Sequence, residues 1–287
     1  MHGENPEWSA GVKLARSLLK AFVLYSLLEF HMKNILVPSL LAASLLSVTG
    51  ITHAQAAEST LSFNAGVVSD YRYRGISQSR LEPAVQGGID YAHKSGVYVG
   101  AWGSTIKWIQ DTGATFPSGG TPGVKGSMEI DIYGGYKWAV GSVAYDVGVL
   151  RYEYARNNLQ TVPEYANANT TEVYGAATYG VFTAKYSHSL TNVFGNVNSK
   201  NSYYLDLSAA FDLGNGFTLT PHVGRQMINN GPLYSYNDYS LTLAKDLGNG
   251  LTASLMAVGT NARKDQYTLV NKYNGKDALV AGLKYTF

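Results

Sequence analysis

Counting back from the last residue in steps of two gives Phe287, Tyr285, Leu283, Ala281 and Leu279, separated by Thr286, Lys284, Gly282 and Val280. Period-two alternation gives a strand one apolar and one more polar face. The same pattern recurs along the chain after residue 57. Leu61, Phe63, Ala65 and Val67 form one apolar row, Met128, Ile130 and Ile132 a second, and Tyr203, Leu205, Leu207, Ala209 and Phe211 a third. The connections between these runs are of two kinds. Five are short: 93–96 (HKSG), 138–141 (WAVG), 179–180, 214–216 and 248–250. The last two lie in near-repeats, DLGNGFTLTPHVG from Asp212 and DLGNGLTASLMAVG from Asp246. Gly and Asn tolerate the positive φ that tight hairpins require. Six are longer and polar: 76–82, 109–126, 156–168, 192–200, 229–236 and 262–275.

Short and long connections alternate strictly. Five turns and six loops divide the chain into twelve strands, expected at 61–74, 83–92, 97–108, 127–138, 142–154, 170–179, 181–191, 201–213, 217–228, 237–247, 251–261 and 276–287. Each is long enough to cross a bilayer at a tilt. A soluble sandwich has no reason to sort its loops by length, whereas a membrane barrel does. The expected fold is therefore all-β, a single transmembrane antiparallel up-and-down β-barrel of about twelve strands. It has short periplasmic turns, longer extracellular loops and both ends in the periplasm. Tyr91, Tyr98, Tyr136, Trp138, Tyr179, Phe217 and Tyr285 fall near strand ends, where aromatic rings suit the headgroup level. Strands 3, 5 and 6 are ambiguous in parity, and in the fifth the phase slips between Asp146 and Arg151, as a bulge would produce.

Composition agrees. The chain has 31 Gly, 22 Tyr and 15% charged residues at a mean hydropathy of −0.09. A barrel wall needs only every second residue to be apolar, while helical spans need runs of about 18 apolar residues, and none occurs after Ala57. There is no cysteine, hence neither a disulfide framework nor a thiolate metal site. A net charge of +2 gives no electrostatic case for nucleic acid as a partner. Near the start, Met32 opens a run with the three parts of a secretory signal: Lys33, an apolar core at 35–48, and Ala54, Gln55 and Ala56 as a small-x-small cleavage site. The expected organisation is an upstream extension at 1–31 from a start codon set too early, a signal peptide at 32–56 and the barrel at 57–287.

Charges inside strands should point away from lipid. The expected pore-lining residues are Asp70, Arg72 and Arg74 on strand 1, Gln86 and Asp90 on strand 2, and Glu129 and Asp131 on strand 4. Lys185 on strand 7, Asp206 on strand 8, His222 and Gln226 on strand 9 and Lys284 on strand 12 complete the set. Opposed guanidinium and carboxylate groups would form either a transverse field that sorts solutes or a network that stiffens the interior. Arg72 and Arg74, two residues apart on one face, would lie side by side. Such a pair suits carboxylate or phosphate through forked hydrogen bonds. The plainer reading has them anchoring Asp70, Asp90, Glu129 or Asp131.

The most distinctive stretch is SDYRYRGISQS from Ser69, followed by PAVQGGIDY from Pro83 and SGVYVGAWGS from Ser95. In order and spacing these blocks resemble the TorF-family porins, a proteobacterial outer-membrane group of uncharacterised function. The similarity extends over the mature chain, and terminal Phe287 resembles the sorting signal read by the outer-membrane assembly machinery. The resemblance implies an outer-membrane barrel and a pore for small hydrophilic solutes, with no solute named and no catalytic residue to carry over. Residues 1–31 depart from the family pattern.

An enzyme is the alternative that needs weighing, because some twelve-stranded outer-membrane barrels are lipases. Ser187, His188 and Ser189 adjoin in one strand, where neighbours alternate faces, and no GxSxG, HExxH or P-loop pattern occurs. The expectation is a bacterial outer-membrane channel for passive diffusion, not an enzyme, without cofactor or metal. A plugged structural or adhesive barrel is the second reading, with 109–126 either folding inward or lying on the surface.

Overall fold

The computed structural model describes residues 58–115 and 123–287. The expected extension and signal peptide lie outside the described residues. Twelve strands form the wall: β1 (Thr60–Val68), β2 (Ala84–Ala92), β3 (Val97–Thr105), β4 (Met128–Val140), β5 (Val143–Tyr154), β6 (Thr170–Tyr179) and β7 (Phe182–Ser189). They continue as β8 in two pieces (Tyr203–Ala209 and Phe211–Gly214), β9 (Phe217–Met227), β10 (Tyr236–Gly248), β11 (Leu251–Thr260) and β12 (Ala278–Thr286). Each strand pairs antiparallel with its neighbour in sequence. β12 then pairs with β1, from Asn64↔Thr286 to Val68↔Gly282, so no open edge remains. The wall is a closed antiparallel barrel of twelve strands.

The DLGNG repeats build the same turn twice. Gly214, Asn215 and Gly216 have φ of 78°, 52° and 74°, and Gly248, Asn249 and Gly250 have 86°, 52° and 83°. In each, the Asp carboxylate accepts the N–H two residues on, at 2.8 Å, and the register shifts by a bulge. At the seam, Phe63 and Phe287 exchange backbone hydrogen bonds of 2.8 and 2.9 Å and stack with centroids 5.8 Å apart.

The outer surface is apolar. Leu61, Val67, Val85, Ile132, Leu207, Leu279 and Leu283 are all exposed on it, as apolar rows that face lipid would be. Tyr91, Tyr136, Trp138, Tyr179, Phe217 and Tyr285 are exposed as well. Tyr98, grouped with them on sequence, instead points inward and donates to Asp146 Oδ1 at 2.7 Å. The abundance of Gly and Tyr has a structural reason on this inner face. Tyr133 lies against Gly100, and Tyr98 against Gly135, so closely that a Cβ on the glycine would fall 2.5 Å from the Tyr133 ring and 2.5 Å from the Tyr98 hydroxyl. Glycine on the neighbouring strand lets each ring lie along the wall.

Three expectations change. The register of β5 with β4 runs unbroken from Glu129↔Tyr154 to Val140↔Val143, so there is no bulge. Arg151 and Glu153 instead sit on the half-exposed outward row, paired at 2.9 Å. The polar stretch at 109–126 contains a helix, α1 (Trp108–Thr115), which buries Ile109, Asp111, Thr112 and Gly113. Most consequentially, strand 1 ends at Val68 rather than at residue 74. The chain leaves the wall there and runs inward.

Candidate functional site

Residues 70–79 are all buried. The segment begins with Ser69, whose N–H still donates to Ala281 O in the wall at 2.8 Å. Local chemistry then turns it. Asp70 accepts from Arg72 Nε and Ser77 Oγ, both at 2.6 Å, and from Ser79 Oγ at 3.2 Å. Such side-chain capture competes with strand pairing. Arg72–Tyr73 and Ile76–Ser77 pair as a miniature hairpin. Its two turn residues, Arg74 and Gly75, have φ of 46° and 79°, the two positive values of a tight two-residue turn.

The hairpin sends its side chains to opposite walls. Tyr71 donates to Glu129 Oε1 at 2.6 Å and meets Trp102 edge-on at 5.5 Å. Tyr73 packs edge-on against Tyr152 and Phe194. Arg74 forms a two-pronged pair with Glu172, Nη2 to Oε2 at 2.7 Å and Nη1 to Oε1 at 3.1 Å, and donates to Gln226 Oε1 at 2.6 Å. Its guanidinium lies 4.3 Å from the centre of the Tyr204 ring and 4.8 Å from that of Tyr73. Planar pairing and ring stacking together are the geometry that Arg, and not Lys, provides.

Asp70, Arg72 and Arg74 are therefore not on strand 1, and the two arginines do not form a side-by-side fork. Arg72 is spent on Asp70 and on the carbonyls of Gly75 and Lys276, each at 2.9 Å. Arg74 goes the other way, because it sits in the turn itself with a positive φ and is not on the paired arm that carries Arg72. The remaining sequence-predicted residues lie on the inner face of the wall. Gln86 sits beside Ser104, and Glu129 beneath Tyr71. Asp90 accepts from Tyr133, and Lys185 Nζ lies 4.1 Å from the centre of the Tyr174 ring. Asp206 faces His222 Nε2 at 3.0 Å, and Gln226 joins the Arg74 pair. Asp131 Oδ1 and Lys284 Nζ are buried without a hydrogen-bond partner among the described residues.

Sequence reasoning missed Glu172, Tyr204, Asp238 and the buried tyrosines. Glu172 lies on a strand whose faces both carry small residues, so parity gave no signal. Asp238 does share a face with Ser240 and Thr242, and that alternation was available. It accepts from Tyr204 Oη at 3.0 Å and lies 3.6 Å from His222 Nδ1. His188, by contrast, contacts Tyr186 Oη on the outward side at 2.9 Å, while Ser187 and Ser189 are buried on the opposite face. The structure does not bring these three together.

Three arginine or lysine ion pairs tie the loops above. Arg80 pairs with the fully buried Asp111 of α1. Glu82 is held between Lys107 and Lys272, the latter at 3.0 Å. Those two ammonium groups pull the Glu82 carboxyl down to about 2.

A family model for bacterial proteins of unknown function, Gcw_chp, matches residues 53–287. The chain belongs to that family. No curated protein matches the sequence significantly. Among solved structures the family member is similar in fold to the KdgM porin, with TM-score 0.48 and 7% identity over 80% of this chain and 99% of that one. It is also similar to the NanC porin, with TM-score 0.48 and 9% identity over 79% and 99%. An outer membrane channel from Pseudomonas putida F1 aligns with TM-score 0.46 and 9% identity over 84% and 98%.

Proposed function

We propose that this protein is a bacterial outer-membrane channel for passive diffusion of small hydrophilic solutes, restricted by its inward-folded segment at residues 69–82. The observation that carries the reading is the closed barrel with an apolar outer surface and ionisable side chains on its inner wall. An interior row of Asp90, Asp131, Lys185, Asp206, His222 and Lys284 is costly to maintain if it contacts neither water nor solute. The resemblance of SDYRYRG and its following blocks to the TorF-family porins supports it. The long loops would face outward, the short turns the periplasm, and lipid would surround the apolar rows. Phe287, at the closing seam, would be the residue the assembly machinery recognises.

A second reading is a closed structural or adhesive barrel that engages a partner through its loops. The burial of every residue from 70 to 79 favours it. Planar-bilayer recording on refolded protein starting at Ala57 separates the two. A channel gives discrete current steps, larger when residues 70–81 are replaced by a short Gly-Ser turn. Absence of steps in both proteins, across voltages and salts, would leave the closed barrel.

A further inference from the structure

Above the hairpin, at the long-loop end, lies a cavity of about 120 Å³. All six long connections contribute to its lining. We propose that it is a binding site for an uncharged sugar ring, a pyranoside presented to the barrel mouth from outside.

Three observations carry this. The lining combines half-buried aromatic side chains from four different connections, Trp108, Tyr165, Phe194 and Tyr267. Interleaved with them are side-chain amides, Gln78, Asn196, Gln266 and Asn274. No Asp, Glu, Lys or Arg is among the described residues that line it. Aromatic walls with a few oriented polar groups are the usual make-up of a small-molecule site. Rings accept the C–H faces of a pyranose, and amides serve hydroxyls as both donor and acceptor. An ionic ligand would find no countercharge there.

The second observation points to a ligand directly. Two residues of the lining each carry a buried polar atom without a hydrogen-bond partner: Trp108 Nε1, a donor, and Asn274 Oδ1, an acceptor. Asn274 is 3% exposed. Unpaired buried groups of this kind are rare and costly. Hydroxyls, each able to donate and to accept, would satisfy both once a small side-chain shift on binding brought them within reach. The third observation is preorganisation. Trp108 is held edge-on by Tyr154 at 5.4 Å, and Tyr267 by Tyr236 at 5.3 Å and by its own hydroxyl donating to Tyr234 O at 2.6 Å. Rings already fixed lose little freedom on binding.

Isothermal titration of the refolded barrel in detergent tests the site without reference to conductance, so failure of the channel reading leaves the test intact. Methyl glucopyranoside and methyl galactopyranoside are the probes, with glucuronate and choline as charged counterparts. Saturable binding of at least one neutral glycoside is expected with a dissociation constant of about 1 mM. Trp108→Phe keeps the ring and removes the N–H, and should weaken that binding about fivefold while the protein still migrates as a folded barrel. No saturable binding of either neutral glycoside would overturn the proposal, as would tighter binding of glucuronate or choline, or unchanged affinity in Trp108→Phe.

Discussion

Arg74 and Glu172 are 98 positions apart in sequence, yet their two-pronged contact, with Nη2 to Oε2 at 2.7 Å, ties the inward hairpin to the wall. Both side chains are nearly inaccessible, at 3% and 2%. Removing one partner from such a pair leaves an uncompensated buried charge.

Glu172→Ala should therefore destabilise the barrel by about 3–5 kcal/mol in denaturant titration and free the hairpin. Under the channel reading it should also raise single-channel conductance or open probability. An unchanged current in a folded variant would mean that the hairpin does not restrict passage.

Gly75 gives a second route to the same hairpin. Its φ is +79°, and a Cβ would lie 2.5 Å from Thr260 Cγ2 and 2.7 Å from Asp238 Cβ. Gly75→Val should displace the turn at a cost of roughly 1–3 kcal/mol. Limited proteolysis within residues 69–82 should become faster than in wild type. Equal protection would show that the hairpin tolerates the side chain.

The clamp of Lys107 and Lys272 on Glu82 predicts an acid transition. Because the carboxyl is pulled down to about 2, its stabilising effect is complete above the ordinary glutamate value of 4.5 and fades as pH falls from there toward 2. Trp108 adjoins Lys107, so its fluorescence should change across this window. Glu82→Gln should abolish that change, and its persistence would assign the transition to another group.

At the seam, Phe287 stacks on both Phe63 and Tyr285, with centroids 5.8 and 5.6 Å apart. Deleting it removes this contact and two backbone hydrogen bonds. Assembly in cells, read as the yield of heat-modifiable barrel in outer membranes, should fall at least several-fold. Wild-type yield would refute the sorting role.

Much of the wall was legible because its signal is local. From Leu279 to Phe287 each side chain's face follows from position alone. The repeated DLGNG turns likewise carry their geometry in Gly and Asn. The parity of β6 was not legible, since Thr, Gly and Ala occupy both faces, and so Glu172 escaped notice. The course of residues 69–82 was not legible either. Asp70, Tyr71, Arg72, Tyr73 and Arg74 alternate as a strand would, and the pattern extends β1 smoothly on paper.

Strand number, the faces of the clearly alternating strands and the sorting of the connections thus follow from the sequence alone, because period-two alternation and turn chemistry act between near neighbours. That the SDYRYRG stretch leaves the wall is visible only in the folded barrel. The partners that stabilise it there, Glu129 on β4, Glu172 on β6, Tyr204 on β8 and Gln226 on β9, converge only once the barrel has closed. An arginine that looks like half of an anion fork in one dimension becomes, in three, the pin that holds the hairpin across the lumen.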